Sequence, residues 1–145
     1  MSQESAPSPG AAVHRDFVQI RLPAEGAYLS VLRTTTAGLA ARLDFTLDEI
    51  EDLRIAVDEA CALLLAQAVA GSDLSCDFEL TDGTMLVRVS ATTSEGQLPD
   101  RGTFAWTVLT ALVGEVDATV DATVDGEQRV SITLHKRRRH QGQRD

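Results

Sequence analysis

Thr46-Leu47-Asp48-Glu49-Ile50-Glu51-Asp52-Leu53-Arg54-Ile55-Ala56-Val57-Asp58-Glu59-Ala60-Cys61-Ala62-Leu63-Leu64-Leu65-Ala66-Gln67-Ala68 is the stretch around which the chain is organised. It opens with a capping-box pattern, in which the Thr46 hydroxyl accepts from the Glu49 N–H and the Glu49 carboxylate reaches back to the Thr46 N–H. Asp48, Glu49, Glu51 and Asp52 then place negative charge at the positive end of the helix dipole. Ile50, Leu53, Val57, Ala60, Leu64 and Ala68 recur at three- and four-residue steps, with Ala56 and Leu63 widening the stripe, so one side faces a core. The pattern predicts a helix of about 23 residues, roughly 35 Å long. Glu59 sits on the flank of this stripe, in Ala-Val-Asp-Glu-Ala-Cys. A carboxylate there suits a general base or a metal ligand, and equally a solvated flank residue.

The 145 residues, 43% of them hydrophobic, fit one domain able to bury roughly two thirds of its unfolded surface. No run approaches the roughly 18 apolar residues of a membrane span, and no signal-peptide pattern opens the chain. Cys61 and Cys76 lack CxxC spacing and fall on a predicted helix and strand, which points to buried thiols and a cytoplasmic protein. The net charge is −9. Residues 136–145 hold five basic and one acidic residue, so removing their +4 leaves −13 on the rest. An acidic body repels nucleic acid and favours a protein partner with a basic surface.

Residues 1–12, rich in Ser, Pro, Gly and Ala, read as a disordered leader; 13–135 read as the folded domain and 136–145 as a basic flexible tail. Phe17, Val18, Ile20 and Leu22 predict a first strand closed by Pro23. A helix is predicted from Ala27 to Leu43, with Tyr28, Val31, Leu32, Thr35, Leu39 and Leu43 near one face and Arg33 off it. Strands over Leu74–Leu80 and Met85–Ala91 flank Thr81-Asp82-Gly83, a strong hairpin signal. A polar loop runs from Thr92 to Arg101. A third helix begins at Gly102, with Val108, Leu109, Leu112, Val113 and Val116 as its stripe. Ala118–Val124 and Arg129–His135 alternate across Asp125-Gly126-Glu127 as a last hairpin. The order β-α-α-β-β-α-β-β predicts an α+β two-layer sandwich: a mixed, mostly antiparallel sheet with three helices on one face.

With that order in place, Thr46 to Cys61 and the later Gly102-Thr-Phe-Ala-Trp-Thr-Val-Leu-Thr-Ala-Leu-Val-Gly-Glu-Val resemble the RsbW-type anti-sigma factors, small members of the histidine-kinase-like ATPase superfamily. The resemblance is nearest the actinobacterial sigma-F branch and covers roughly residues 16 to 135. It implies that fold, and an N box on the long helix whose glutamate is the general base and whose asparagine, four residues on, holds Mg²⁺. Glu59 matches the glutamate, but Leu63 stands at the asparagine position and offers a hard cation no oxygen. In the Asp-x-Gly-x-Gly box after the second hairpin strand, Ala91 replaces the adenine-binding aspartate and Thr93 the first glycine. Of the Gly-x-Gly box that offers N–H groups to phosphate, Gly102 remains. One lost adenine hydrogen bond costs about 1–3 kcal/mol, and each 1.4 kcal/mol is about tenfold in affinity. ATP and Mg²⁺ are therefore expected to bind weakly if at all, and no metal ligand set is assigned. The resemblance also places Arg33 at the sigma-facing arginine of the first helix and implies a homodimer.

Three functions follow as expectations. The first is an anti-sigma factor that sequesters a sigma-F- or sigma-B-type sigma factor and is released by an anti-anti-sigma antagonist, with no direct DNA or membrane contact. The alternative is an ATP-dependent serine kinase that phosphorylates that antagonist with Glu59 as base. A nucleic-acid adaptor using the basic tail is the third, and it lacks aromatic interleaving.

Overall fold

Alternation of apolar and polar residues builds every strand, and the helices cover only the apolar side of the sheet they form. The computed structural model describes residues 15–123 and 125–139; residues 1–12, expected as a leader, lie outside them. The strands are β1 (Asp16–Pro23), β2 (Asp73–Thr81), β3 (Thr84–Thr93), β4 (Glu115–Ala122) and β5 (Gln128–Arg137). The helices are α1 (Leu29–Arg42), α2 (Leu47–Leu65) and α3 (Phe104–Val113), with a 3₁₀ turn at Gly26–Tyr28 before α1. The five-stranded sheet has the order β1-β2-β3-β5-β4. Every pairing between these strands is antiparallel, so the expected mixed character is corrected to a wholly antiparallel sheet. Two hairpins account for this: β2 turns into β3 and β4 into β5, and docking β5 beside β3 leaves β4 on the edge.

On the inner side of the sheet, Leu74, Cys76 and Phe78 of β2, Met85, Val87, Val89 and Ala91 of β3, and Val130, Ile132 and Leu134 of β5 are buried. Helix α2 lies over β3 and β5, α3 over β5 and β4, and α1 packs against α2. Leu53, Ala56, Val57, Ala60, Cys61 and Leu64 of α2 complete this core. The outer side is mostly polar, apart from Phe17 and Leu86, and one row across all five strands reads Gln19, Asp77, Arg88, Thr133, Asp117.

Three expectations need correction. Helix α2 ends at Leu65, because Ala68 forms a bridge with Thr93 and the Val69 N–H donates to the Thr92 carbonyl at 2.9 Å. Helix α1 buries Leu32, Thr36 and Ala40, leaving Tyr28 and Val31 exposed; the Thr36 hydroxyl enters the core by donating to the Leu32 carbonyl at 2.7 Å. Helix α3 stops at Gly114, whose φ of 97° suits a residue without a Cβ, so Val116 belongs to β4 rather than to the helix.

The last strand passes the boundary expected at residue 135. Lys136 Nζ donates to the Leu112 carbonyl at 2.8 Å, and the Arg138 N–H donates to the Gly83 carbonyl at 2.6 Å. The Arg139 N–H donates to Glu49 Oε2 at 2.7 Å.

Candidate functional site

The amino end of α2 forms the capping box expected from its sequence: the Glu49 N–H donates to Thr46 Oγ1 at 3.1 Å and the Thr46 N–H to Glu49 Oε1 at 2.8 Å. Glu49 is buried, which opposes its charge. The hydrogen bonds from Thr46 and Arg139 and the charge of Lys136 outweigh that burial and hold its carboxyl below the ordinary range. This end of the helix is structural.

Three turns further along, Asp58 accepts from Arg33 Nε through both oxygens, at 3.0 and 2.9 Å. The pair clips α1 to α2 one residue before Glu59. The terminal amino groups of Arg33 make no hydrogen bond among the described residues, and its side chain is 38% exposed. Glu59 is half-buried and makes no hydrogen bond or ion pair among the described residues. Leu63 lies one turn beyond it, partly buried against the core.

Ala91 is fully buried at the end of β3 and belongs to the core. Thr93 is also buried; its hydroxyl donates to the Gln128 carbonyl at 3.1 Å and accepts from the Gly96 N–H at 2.9 Å. The segment that follows is drawn toward α2 by Gln67, whose Nε2 donates to the Gln97 carbonyl at 2.7 Å and whose Oε1 accepts from the Gln97 N–H at 3.1 Å. Gly96, at φ +66°, passes so close to β5 that a Cβ would stand 2.6 Å from Gln128 Cβ.

At the amino end of α3, the Gly102 N–H donates to Asp100 Oδ1 at 2.9 Å. Thr103 caps the helix, accepting from the Trp106 N–H at 3.3 Å while its hydroxyl donates to the Asp100 carbonyl at 2.8 Å. A carboxylate and a hydroxyl thus occupy donors that a phosphate would need. Leu63 presents an alkyl group, Ala91 a methyl group within the core, and the Gly102 N–H is already bound by the Asp100 carboxylate. Among the described residues no group of three or more His, Cys, Asp or Glu is arranged to hold a metal ion.

The structure joins Arg33 to the Glu59 stretch through Asp58, and joins Thr93 to the loop before α3. No hydrogen bond links Glu59 to Ala91, Thr93 or Gly102. Asp58, Gln67, Gln97 and Asp100 carry this geometry without having stood out in the sequence. Only Asp58, beside Glu59 in a recognisable phrase, offered a local signal. Burial pushes the Cys61 thiol up to about 12, with the Asp58 charge adding to it. Burial likewise pushes Cys76 up, with Cys61 and Asp77 adding to it; both are free thiols.

Fold and helix phrase together define a class: an α+β scaffold of the kind seen in SiaB and in RsbW domains. The SiaB–SiaC complex of Pseudomonas aeruginosa contains a chain that superposes with a TM-score of 0.65 at 10% identity, covering 81% of this chain and 89% of that one. The RsbU and RsbW domains of Rv1364c from Mycobacterium tuberculosis match with a TM-score of 0.52 at 19% identity, over 86% of this chain and 33% of that one. By sequence the chain is similar to several proteins named RsbW, of which it spans between about a third and three quarters of the length. It is 35% identical over 94 residues to the serine-protein kinase RsbW of Halalkalibacterium halodurans, covering 63% of this chain and 56% of that protein. It is 29% identical over 121 residues to the anti-sigma-F factor RsbW of Mycobacterium tuberculosis, covering 83% of this chain and 72% of that protein. With the serine-protein kinase RsbW of Bacillus subtilis it shares 48% identity over 46 residues, which span 32% of this chain and 29% of that protein. No family model matches the chain.

Proposed function

We propose that the protein is an anti-sigma factor, which binds a sigma-F- or sigma-B-type sigma factor and yields it to an anti-anti-sigma antagonist. The observation that carries this reading is the alignment along 121 residues with a protein named anti-sigma-F factor. The folded unit is residues 13–135 with the last strand extended to Arg137, and it works as a homodimer in the cytoplasm. No helix among the described residues is long and apolar enough to cross a membrane. Arg33 faces the sigma factor, and its terminal amino groups, which make no hydrogen bond among the described residues, suit a partner carboxylate held in a planar fork. Release then depends on competition between partners, because the nucleotide boxes are degenerate at Leu63, Ala91, Thr93 and Gly102.

The test is a titration of the full chain with candidate sigma factors from the same genome. Arg33→Ala is expected to weaken binding about tenfold or more, Arg33→Lys to restore little of it, and Asp58→Asn to have a small effect. If Arg33→Ala leaves affinity unchanged, the sigma-facing role is wrong; if no sigma factor binds, the function is wrong.

A second reading, a serine kinase acting on the antagonist, is favoured by Glu59, half-buried and without a partner among the described residues, and by the names of several relatives. Incubation with labelled ATP and the antagonist separates the two readings. A binder transfers no label and tolerates Glu59→Gln, whereas a kinase transfers label and loses turnover in that variant. Calorimetry is expected to show no magnesium-dependent nucleotide binding tighter than about 10 μM.

A further inference from the structure

β4 stands at the edge of the sheet, paired on one side only. It is exposed along most of its length, so backbone N–H and C=O groups on its other side, apart from those beside the Arg101 side chain, are open to a further strand. Its two faces differ. Glu115, Asp117, Thr119 and Asp121 point to the outer side, in register with His135, Thr133, Ser131 and Arg129 of β5. Val116, Ala118 and Val120 point to the helix side, the first two only partly buried and Val120 exposed. The margin is thus an apolar shelf beneath a row of carboxylates.

One basic side chain of the same molecule already uses that row. Arg101, ahead of α3, sets its guanidinium 4.8 Å from the centroid of the Trp106 ring in the helix layer and donates to Asp117 Oδ1 at 3.0 Å on the outer side. A side chain can join those two layers only by passing around the unpaired side of β4. Arg101 therefore shows which chemistry the margin accepts: a cation at the carboxylate row, with its stem along the strand edge. Glu115 and Asp121 form no salt bridge among the described residues.

We propose that the free side of β4 docks an extended, lysine- or arginine-bearing segment of a protein partner, which adds to the sheet as a sixth strand. Main-chain hydrogen bonds supply the attachment and alternate side chains the selection. Cations on one face of the segment meet Glu115 and Asp121, and small apolar residues on the other cover Val116, Ala118 and Val120. A second copy is a poor occupant. Antiparallel pairing of β4 with itself about Ala118 sets Glu115 opposite Asp121 twice, and like charges directly opposed destabilise a strand pair. This inference uses neither Arg33 nor the α2 site and stands apart from the sigma-factor reading.

The test uses the full chain and a synthetic peptide alternating lysine and valine, about seven residues long to match a typical strand. A glutamate-for-lysine version serves as control. Hydrogen exchange and amide chemical shifts are followed at low salt. The lysine peptide is expected to bind, to slow exchange at β4 amides and to leave β1, the opposite edge, unchanged; the glutamate peptide should not bind. Glu115→Lys combined with Asp121→Lys should weaken binding about tenfold or more. Arg101→Ala, which frees Asp117, should tighten it about threefold. Absence of binding at millimolar peptide overturns the proposal, as does binding that protects no β4 amide or ignores the double reversal. Protection of β4 that rises with protein concentration in the absence of peptide overturns it in favour of self-association.

Discussion

Gly96 has no room for a methyl group. Its φ of +66° disfavours any other residue, and a Cβ there would meet Gln128 Cβ and Cγ at 2.6 and 2.7 Å and Val120 Cγ2 at 3.0 Å. Gly96→Ala is expected to lower stability by about 2 kcal/mol, a melting-point loss of roughly 5 °C by calorimetry. Glu49 is the second residue with a measurable signature. Its carboxyl is held below the ordinary value of 4.5, so the unfolded chain takes up its proton first as pH falls. The stability it contributes is fully present above pH 4.5 and is lost as pH drops through its lower folded-state value. In denaturant unfolding between pH 7 and 3, Glu49→Gln should be the less stable protein at pH 7 and should show a shallower loss in acid. Equal slopes for the two proteins would exclude Glu49 as a source of acid sensitivity.

At the level of helices and strands, the α1–α2 contact has one polar clip, Arg33 with Asp58. Both side chains are more than a third exposed, so screening by solvent limits the pair to between roughly 0 and 1 kcal/mol. A double-mutant cycle with Arg33→Ala and Asp58→Ala should return a coupling in that range, which lets Arg33 variants report on binding without unfolding the hairpin of helices. The Gln67–Gln97 pair ties the turn after α2 to the segment before α3. Gln67→Ala should speed exchange of the Gln97 amide while leaving the β3 amides protected. Much of this element structure was legible from local pattern. The Thr46–Glu49 cap, the Asp82-Gly83 turn and the alternation in β2, β3 and β5 depend on residues within a few positions of one another. The end of α2 was not legible, because Ala68 and Val69 are captured by Thr93 and Thr92 from β3. The buried side of α1 was also hidden, since Thr36 reads as polar until its hydroxyl is seen to be satisfied by Leu32. In the candidate site, Glu59 and Leu63 could be placed from the α2 phrase alone. Asp100 could not, because its hold on the Gly102 N–H depends on a turn that only the folded loop defines.

Across the whole molecule, charge and topology each carry a consequence. The acidic body should make association with a basic partner fast at low salt and slower as salt rises; stopped-flow rates between 20 and 500 mM salt, a span of roughly 20 to 4 Å in screening length, would show this, and a salt-independent rate would place the contact elsewhere. The buried thiols of Cys61 and Cys76 should resist a thiol reagent until the chain unfolds, so their labelling rate follows global opening rather than local exposure. The contact between the Arg139 amide and Glu49 closes a separation of 90 residues. During synthesis the carboxylate that caps the central helix can therefore gain this last bond only after the last strand has left the ribosomal tunnel. Until then the nascent chain holds an acidic, locally capped helix whose apolar stripe lacks β5, and a stall or truncation ahead of residue 139 would leave that stripe for chaperones to cover.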